Sequence, residues 1–162
     1  DGKSLGDYTV SATKTALPAD DVGDGVGTAT ALNVGDSFDG NLLKRGDEDW
    51  FEVNLTAGGP YVFKLQGSDT GGGTLDDPLL ELRDASGAVV DTDDDGSWQG
   101  DSVISYQVAN TGNYYLVAKA ANKDGNNQET GTYKITTRSP DDHGSTIAEA
   151  TNVALNDVVD GA

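Results

Sequence analysis

Neither cysteine nor methionine occurs in these 162 residues. The missing cysteines exclude disulfides, thiolate catalysis and cysteine-ligated zinc. One histidine, His143, stands alone. It is too isolated for a zinc site or a His-based catalytic pair and reads as part of a linker turn. Basic residues are scarce, ten against 28 acidic ones, for a formal charge of −18. Such a surface repels phosphate, so nucleic acid and anionic membranes are not expected partners. No apolar run approaches a membrane span, so no membrane insertion is expected, and no secretory signal is visible. There is no Gly-x-Ser-x-Gly elbow. The glycine-rich "GDGVG" has neither the spacing nor the basic residue of a phosphate loop.

Glycine, by contrast, is abundant, with 22 residues. It punctuates short runs in which β-branched and aromatic residues alternate with polar ones. "WFEVNL" puts Phe51, Val53 and Leu55 on one face, and "YVFKLQG" does the same for Tyr61, Phe63 and Leu65. Leu80 and Leu82 are the inward residues of the next run, which turns at "DASG". Ile104, Tyr106 and Val108 share a face, as do Tyr114, Leu116 and Ala118, then Tyr133 and Ile135. No segment offers a long amphipathic helix. The expectation is an all-β fold: an antiparallel, jelly-roll-like β-sandwich of about eight strands.

The chain also repeats itself. "DDVGDGVGTATALNVGDSFDG" at residues 20–40 aligns without a gap on "DDHGSTIAEATNVALNDVVDG" at 141–161, an offset of 121. "GDYTVSA" from Gly6 matches "GTYKITT" from Gly131, an offset of 125. Two matches in the same order imply a tandem array. Residues 1–19 read as the end of a preceding repeat and a linker, 20–138 as a whole unit, and 139–162 as a linker and the opening of the next. Strand-like fragments of adjacent repeats are thus expected at both ends.

Acidic clusters carry the strongest chemical signal. "DTDDDG" places Asp91, Asp93 and Asp95 at alternate positions before a glycine, like the opening of an EF-hand calcium loop. Asp94 lies within the run and Asp101 just beyond it. No helices flank it, and position twelve is Ser102 rather than Glu. In "GDEDW", alternation puts Asp47 and Asp49 on the side of Phe51. A carboxylate there must meet a metal, a backbone N–H or a basic side chain, because lone burial is costly. Asp20, Asp21 and Asp24 are candidate companions from the linker, and Asp76 and Asp77 can complete the loop at Asp91–Asp95. A divalent ion turns such repulsion into cohesion and couples binding to folding. Calcium is the expected ion, since magnesium favours water-rich octahedral sites. A saline habitat alone also explains strong acidity.

Two aromatics read as ligand-binding candidates. Trp50 alternates away from Phe51, and Trp98 lies in the acidic loop region, where exposed indoles stack on sugars or anchor peptides. Packing over a loop is the alternative. Carboxylate pairs are so common at these turns that they do not point to a glycosidase, and no catalytic activity is expected.

"GDEDWFEVNLTAGGPYVFKLQG", "GTLDDPLLELRDASGAVVDTDDDG", "DSVISYQVANTGNYYLVAKA" and "GTYKITT" together resemble the bacterial pre-peptidase C-terminal domain family. The resemblance spans residues 20–138. It implies a β-sandwich accessory module of secreted bacterial proteins, some of which bind calcium. Relatives accompany metallopeptidases and subtilisin-like peptidases. Asp47 and Asp49 stand at the family's D-x-D, Asp77-Pro78 at its DP, and Asp94 and Asp95 at its acidic turn. The collagen binding of one branch does not carry over, because no diagnostic surface is evident. Consecutive modules also depart from the usual single module behind a protease.

The expected function is a non-catalytic, calcium-binding module that stabilises or links an extracellular repeat array, its partners being adjacent copies of itself. Two alternatives stand beside it. One is an accessory module of a secreted hydrolase that binds extracellular peptide or polysaccharide. The other is an adhesin or filament unit joined by terminal-strand exchange.

Overall fold

A computed structural model describes residues 19–97, 99–121 and 129–139. Among them run β1 (Thr30–Ala31), β2 (Ser37–Leu42), β3 (Glu48–Leu55), β4 (Pro60–Gln66), β5 (Pro78–Arg83), β6 (Val89–Asp93), β7 (Ser102–Gln107), β8 (Gly112–Ala120) and β9 (Gly131–Arg138). The described residues contain no helix. Except for positions 19 and 139, the repeat fragments expected at 1–19 and 139–162 lie outside the described residues, as does His143.

Two sheets face each other, in strand orders β1-β3-β8-β5-β6 and β2-β9-β4-β7. Leaving β1 aside, the orders 3-8-5-6 and 2-9-4-7 are those of a jelly roll. The expected sandwich is therefore present, with one strand more than the approximate eight. That extra strand, β1, is short and parallel to β3, pairing Thr30 with Phe51 and Ala31 with Glu52. Only β5 and β6 are sequence neighbours within one sheet. Their turn is held by Asp84, whose Oδ1 accepts from the N–H groups of Ser86 (2.8 Å) and Ala88 (3.0 Å). Every other connection carries the chain from one sheet to the other. "AGGP" and "NTGN" are therefore inter-sheet crossovers rather than hairpin loops.

The period-two reading of the strands places the core. Phe51, Val53, Leu55, Phe63, Leu65, Leu80, Leu82, Leu116, Tyr133 and Ile135 are fully enclosed between the sheets. Phe38 packs on Phe51 with ring centroids 5.1 Å apart.

One departure concerns the outer face of the five-stranded sheet. Tyr115 and Val117 point away from the core, yet both are buried with Trp50, and Ala29 packs against them. Part of that cover comes from an N-terminal arm, residues 19–32, which runs beside β3 and sets Ala29 on this face. Trp50 N–H donates to the Gly23 carbonyl (3.1 Å), and Leu32 N–H donates to that of Glu52 (2.9 Å). Val22 and Leu32 seat the arm in the main core.

Candidate metal centres and the linker arm

The jelly roll brings the arm to the start of β3. There Asp20 and Asp24 from the arm meet Asp47 and Asp49 from the β2–β3 connection and β3, with one carboxylate oxygen of each inside a 4.8 Å cluster. Asp47 is buried where the chain turns after β2. Its Oδ2 accepts from the backbone N–H groups of Leu43 (2.6 Å) and Lys44 (3.3 Å). Asp21 stands beside the cluster and accepts from the Asn41 N–H at 3.1 Å.

Asp49 is the most deeply buried of the four. Its Oδ2 accepts from the Tyr133 hydroxyl at 2.5 Å. Its Oδ1 is buried with no hydrogen-bond donor among the described residues. Burial pushes the Asp49 carboxyl up to about 7, against the Tyr133 hydrogen bond and helped by the charges of Asp21, Asp47 and Asp20. Burial, then the adjacent Asp49, also raises the Tyr133 phenol, so it stays a proton donor. Tyr133 is fixed in turn by Gly40, its partner across β2 and β9. A β-carbon on Gly40 would overlap the Tyr133 hydroxyl.

Lys44 lies across this cluster. Its Nζ is 2.8 Å from Asp20, 3.1 Å from Asp24 and 2.9 Å from Asp47 Oδ1. Hydrogen bonds to Asp20, then Asp47 and Asp24, raise its pKa above the ordinary lysine value. Neither Lys44 nor Tyr133 figured among the expected site residues. The signal for Lys44 was present in "LKRGD", a base three residues before Asp47. Nothing local pointed to Tyr133, which lies 84 residues from Asp49.

A second cluster joins Asp77, Asp94 and Asp95, again with oxygens inside 4.8 Å. The alternating pattern expected of "DTDDDG" is corrected. Asp91 and Asp93 belong to β6, and a strand sets residues i and i+2 about 7 Å apart instead of wrapping them round one ion. Asp91 accepts from the Thr92 N–H at 2.9 Å. Asp93 Oδ2 takes the N–H groups of Gly96 (2.9 Å) and Val103 (2.6 Å). Asp76 is exposed and accepts from Ser68 Oγ at 3.3 Å.

Asp101 stands apart from both clusters and is only 1% exposed. It accepts from the Gly67 N–H (3.2 Å) and Thr70 Oγ1 (2.8 Å), and pairs with Lys64 at 3.3 Å. Asp101, expected among the metal ligands, thus lies outside both carboxylate clusters. Asp101→Ala strands those donors and is expected to cost about 1–3 kcal/mol. The loss should be the same in chelator and in calcium when read by urea unfolding. A loss seen in calcium alone would return Asp101 to the metal ligands.

The ligand-binding expectation for Trp50 is also corrected. Trp50 is 7% exposed, so no ring face is free for a sugar. Tyr115 lies against one side at 5.9 Å, and the Arg83 guanidinium covers the ring at 4.9 Å. Its indole N–H donates to Glu48 at 3.2 Å. Trp98 lies outside the described residues. A groove of about 560 Å³ does cross the outer face of the four-stranded sheet, between Lys64, Val103 and Arg138.

Residues 47–120 match the bacterial pre-peptidase C-terminal domain. The match covers Asp47 and Asp49, Asp77-Pro78 and the acidic turn at Asp94-Asp95. Among solved structures, the pre-peptidase C-terminal domain of a collagenase from Bacillus anthracis is similar at 15% identity, with a TM-score of 0.51. The match covers 68% of this chain and 94% of that one. Periplasmic inhibitors of g-type lysozyme from Aeromonas hydrophila and Salmonella Typhimurium share 9% and 17% identity, with TM-scores of 0.37 and 0.38. Each covers 68% of this chain, and 97% and 100% of their own. No curated protein matches. The resemblance read from the sequence is thus borne out over residues 47–120, and the expected fold with it. Pre-peptidase C-terminal domains are non-catalytic accessory modules associated with secreted peptidases.

Proposed function

We propose that this pre-peptidase C-terminal domain is a calcium-binding junction module of a secreted bacterial multidomain protein, in which the ion fastens the inter-module linker to the sandwich. The observation that carries this is the origin of the four carboxylates. Asp20 and Asp24 come from the arm, and Asp47 and Asp49 from the body. An ion held by all four ties one to the other.

The donor set fits a hard divalent cation. All donors are carboxylate oxygens, and Asp49 Oδ1 has no other use. Arm residues 20–32 align with 141–153, so the same device recurring in successive units would stiffen an extracellular repeat array. The cluster of Asp77, Asp94 and Asp95 would pin the segment after β6 to the start of β5 in the same way. With Trp50 buried, the reading as a peptide- or polysaccharide-binding module loses one of its two candidate residues.

Calcium binding to the folded state alone raises stability by mass action, about 2.7 kcal/mol at a hundredfold excess over Kd. For a domain of this size that is a rise of about 5–10 °C in Tm. Thermal melts in excess chelator and in millimolar calcium, with magnesium and matched ionic strength as controls, test it. Coincident melts in chelator and calcium would sink the calcium reading.

A further inference from the structure

The front cluster already contains a cation. Lys44 Nζ reaches three of its four carboxylates, two on the arm and one on the body. It therefore makes, in miniature, the same tie between arm and body that the metal would make. The ammonium does not saturate the site. Four carboxylates face one positive charge, and Lys44 makes no contact with the buried Asp49 Oδ1. Its side chain is 48% exposed, so the four-carbon stem has solvent to swing into.

We propose that Lys44 is a tethered surrogate cation: it clamps the linker arm when no divalent ion is bound, and calcium must displace it to enter. The displacement half rests on the calcium reading above. An ammonium satisfies three oxygens near 2.9 Å, whereas calcium gathers six to eight at about 2.3–2.6 Å. Both cannot sit among Asp20, Asp24 and Asp47. The arm therefore stays on the sandwich in a calcium-poor compartment. The ammonium also weakens the apparent calcium affinity. The displaced charge lingers within about 7 Å of the ion. Coulomb's law in water then assigns it an effect on the order of tenfold.

The test uses the full chain in a Trp98→Phe background, so that Trp50, against whose cluster Ala29 of the arm packs, is the sole indole. In chelator, Lys44→Met is expected to melt below the parent and to shift Trp50 emission to the red, while Lys44→Arg keeps the parent's values. In a calorimetric titration with calcium chloride, Lys44→Met is expected to bind on the order of tenfold more tightly. Unchanged melting and emission of Lys44→Met in chelator would overturn the clamp. Equal or weaker calcium affinity in Lys44→Met would overturn displacement. If neither protein binds calcium while the chelator difference persists, the calcium reading fails and Lys44 is the permanent clamp.

Discussion

In chelator at pH 8, Asp49→Asn is expected to be more stable than the wild type by about 2–4 kcal/mol, and to lose the front site's response to calcium. The reason lies in one carboxyl group. Unfolded, Asp49 titrates near its ordinary value of 3.8, and folded it is pushed up to about 7. The folded state thus favours the protonated form. Its contribution is fully present below about pH 4 and is lost as pH rises through 7. The difference between those two values corresponds to roughly 4 kcal/mol, reduced by any relaxation around the site. Asparagine keeps an acceptor for Tyr133 and never ionises, so the penalty disappears. The same change removes a charge that calcium would use. Other carboxylates titrate in both proteins, so the informative quantity is the stability difference between variant and wild type. It should grow in the variant's favour from pH 4 to pH 7, then flatten. Urea unfolding across that range, with and without calcium, measures it. A variant no more stable than wild type at pH 8 in chelator would show that Asp49 is not desolvated as described.

Phe51→Ala should behave in the opposite way. Phe51 is fully enclosed between the sheets and lies against Phe38. Truncation leaves a cavity and is expected to cost about 3–5 kcal/mol. The loss should be equal in chelator and in calcium, because the side chain touches the core rather than the carboxylates. Asp49 and Phe51 are two positions apart on one face of β3, so the pair separates packing from electrostatics at one end of one strand. A loss below about 1 kcal/mol would mean that the two sheets do not close over this position.

Much of the interior was legible in the residue order. A strand's side chains alternate strictly, so Phe51, Val53 and Leu55, or Tyr133 and Ile135, could be assigned to one face before any pairing was known. Alternation is silent about what covers the other face. Trp50 therefore read as an outward residue, yet it is buried with Tyr115 and Val117, with Arg83 over its ring and Ala29 of the arm packed against the cluster. The buried acids were legible for a related reason. Asp47 and Asp49 precede Phe51 in register, and an enclosed carboxylate must be compensated. What compensates each was not legible, since Lys44 acts through a turn and Tyr133 through a distant strand.

The acidic loop shows the limit from the other side. "DTDDDG" carries the spacing of a calcium loop, but spacing has that meaning only on a backbone that wraps. The pairing of β6 with β5 extends the backbone at Asp91 and Asp93, which leaves Asp94 and Asp95 to meet Asp77.

The sequence alone determined the strand character, the inward faces, the likeness of residues 20–40 to 141–161 and the family resemblance of residues 47–120. Each depends on local periodicity or on similarity along the chain. Only the tertiary structure decided that all successive strands but β5 and β6 change sheets, that Trp50 is buried against Tyr115, Arg83 and Ala29, and that Asp20, Asp24, Asp47 and Asp49 meet, three of them on Lys44. Those facts depend on contacts between residues far apart in the chain, whose partners are chosen by how two twisted sheets close over a shared core.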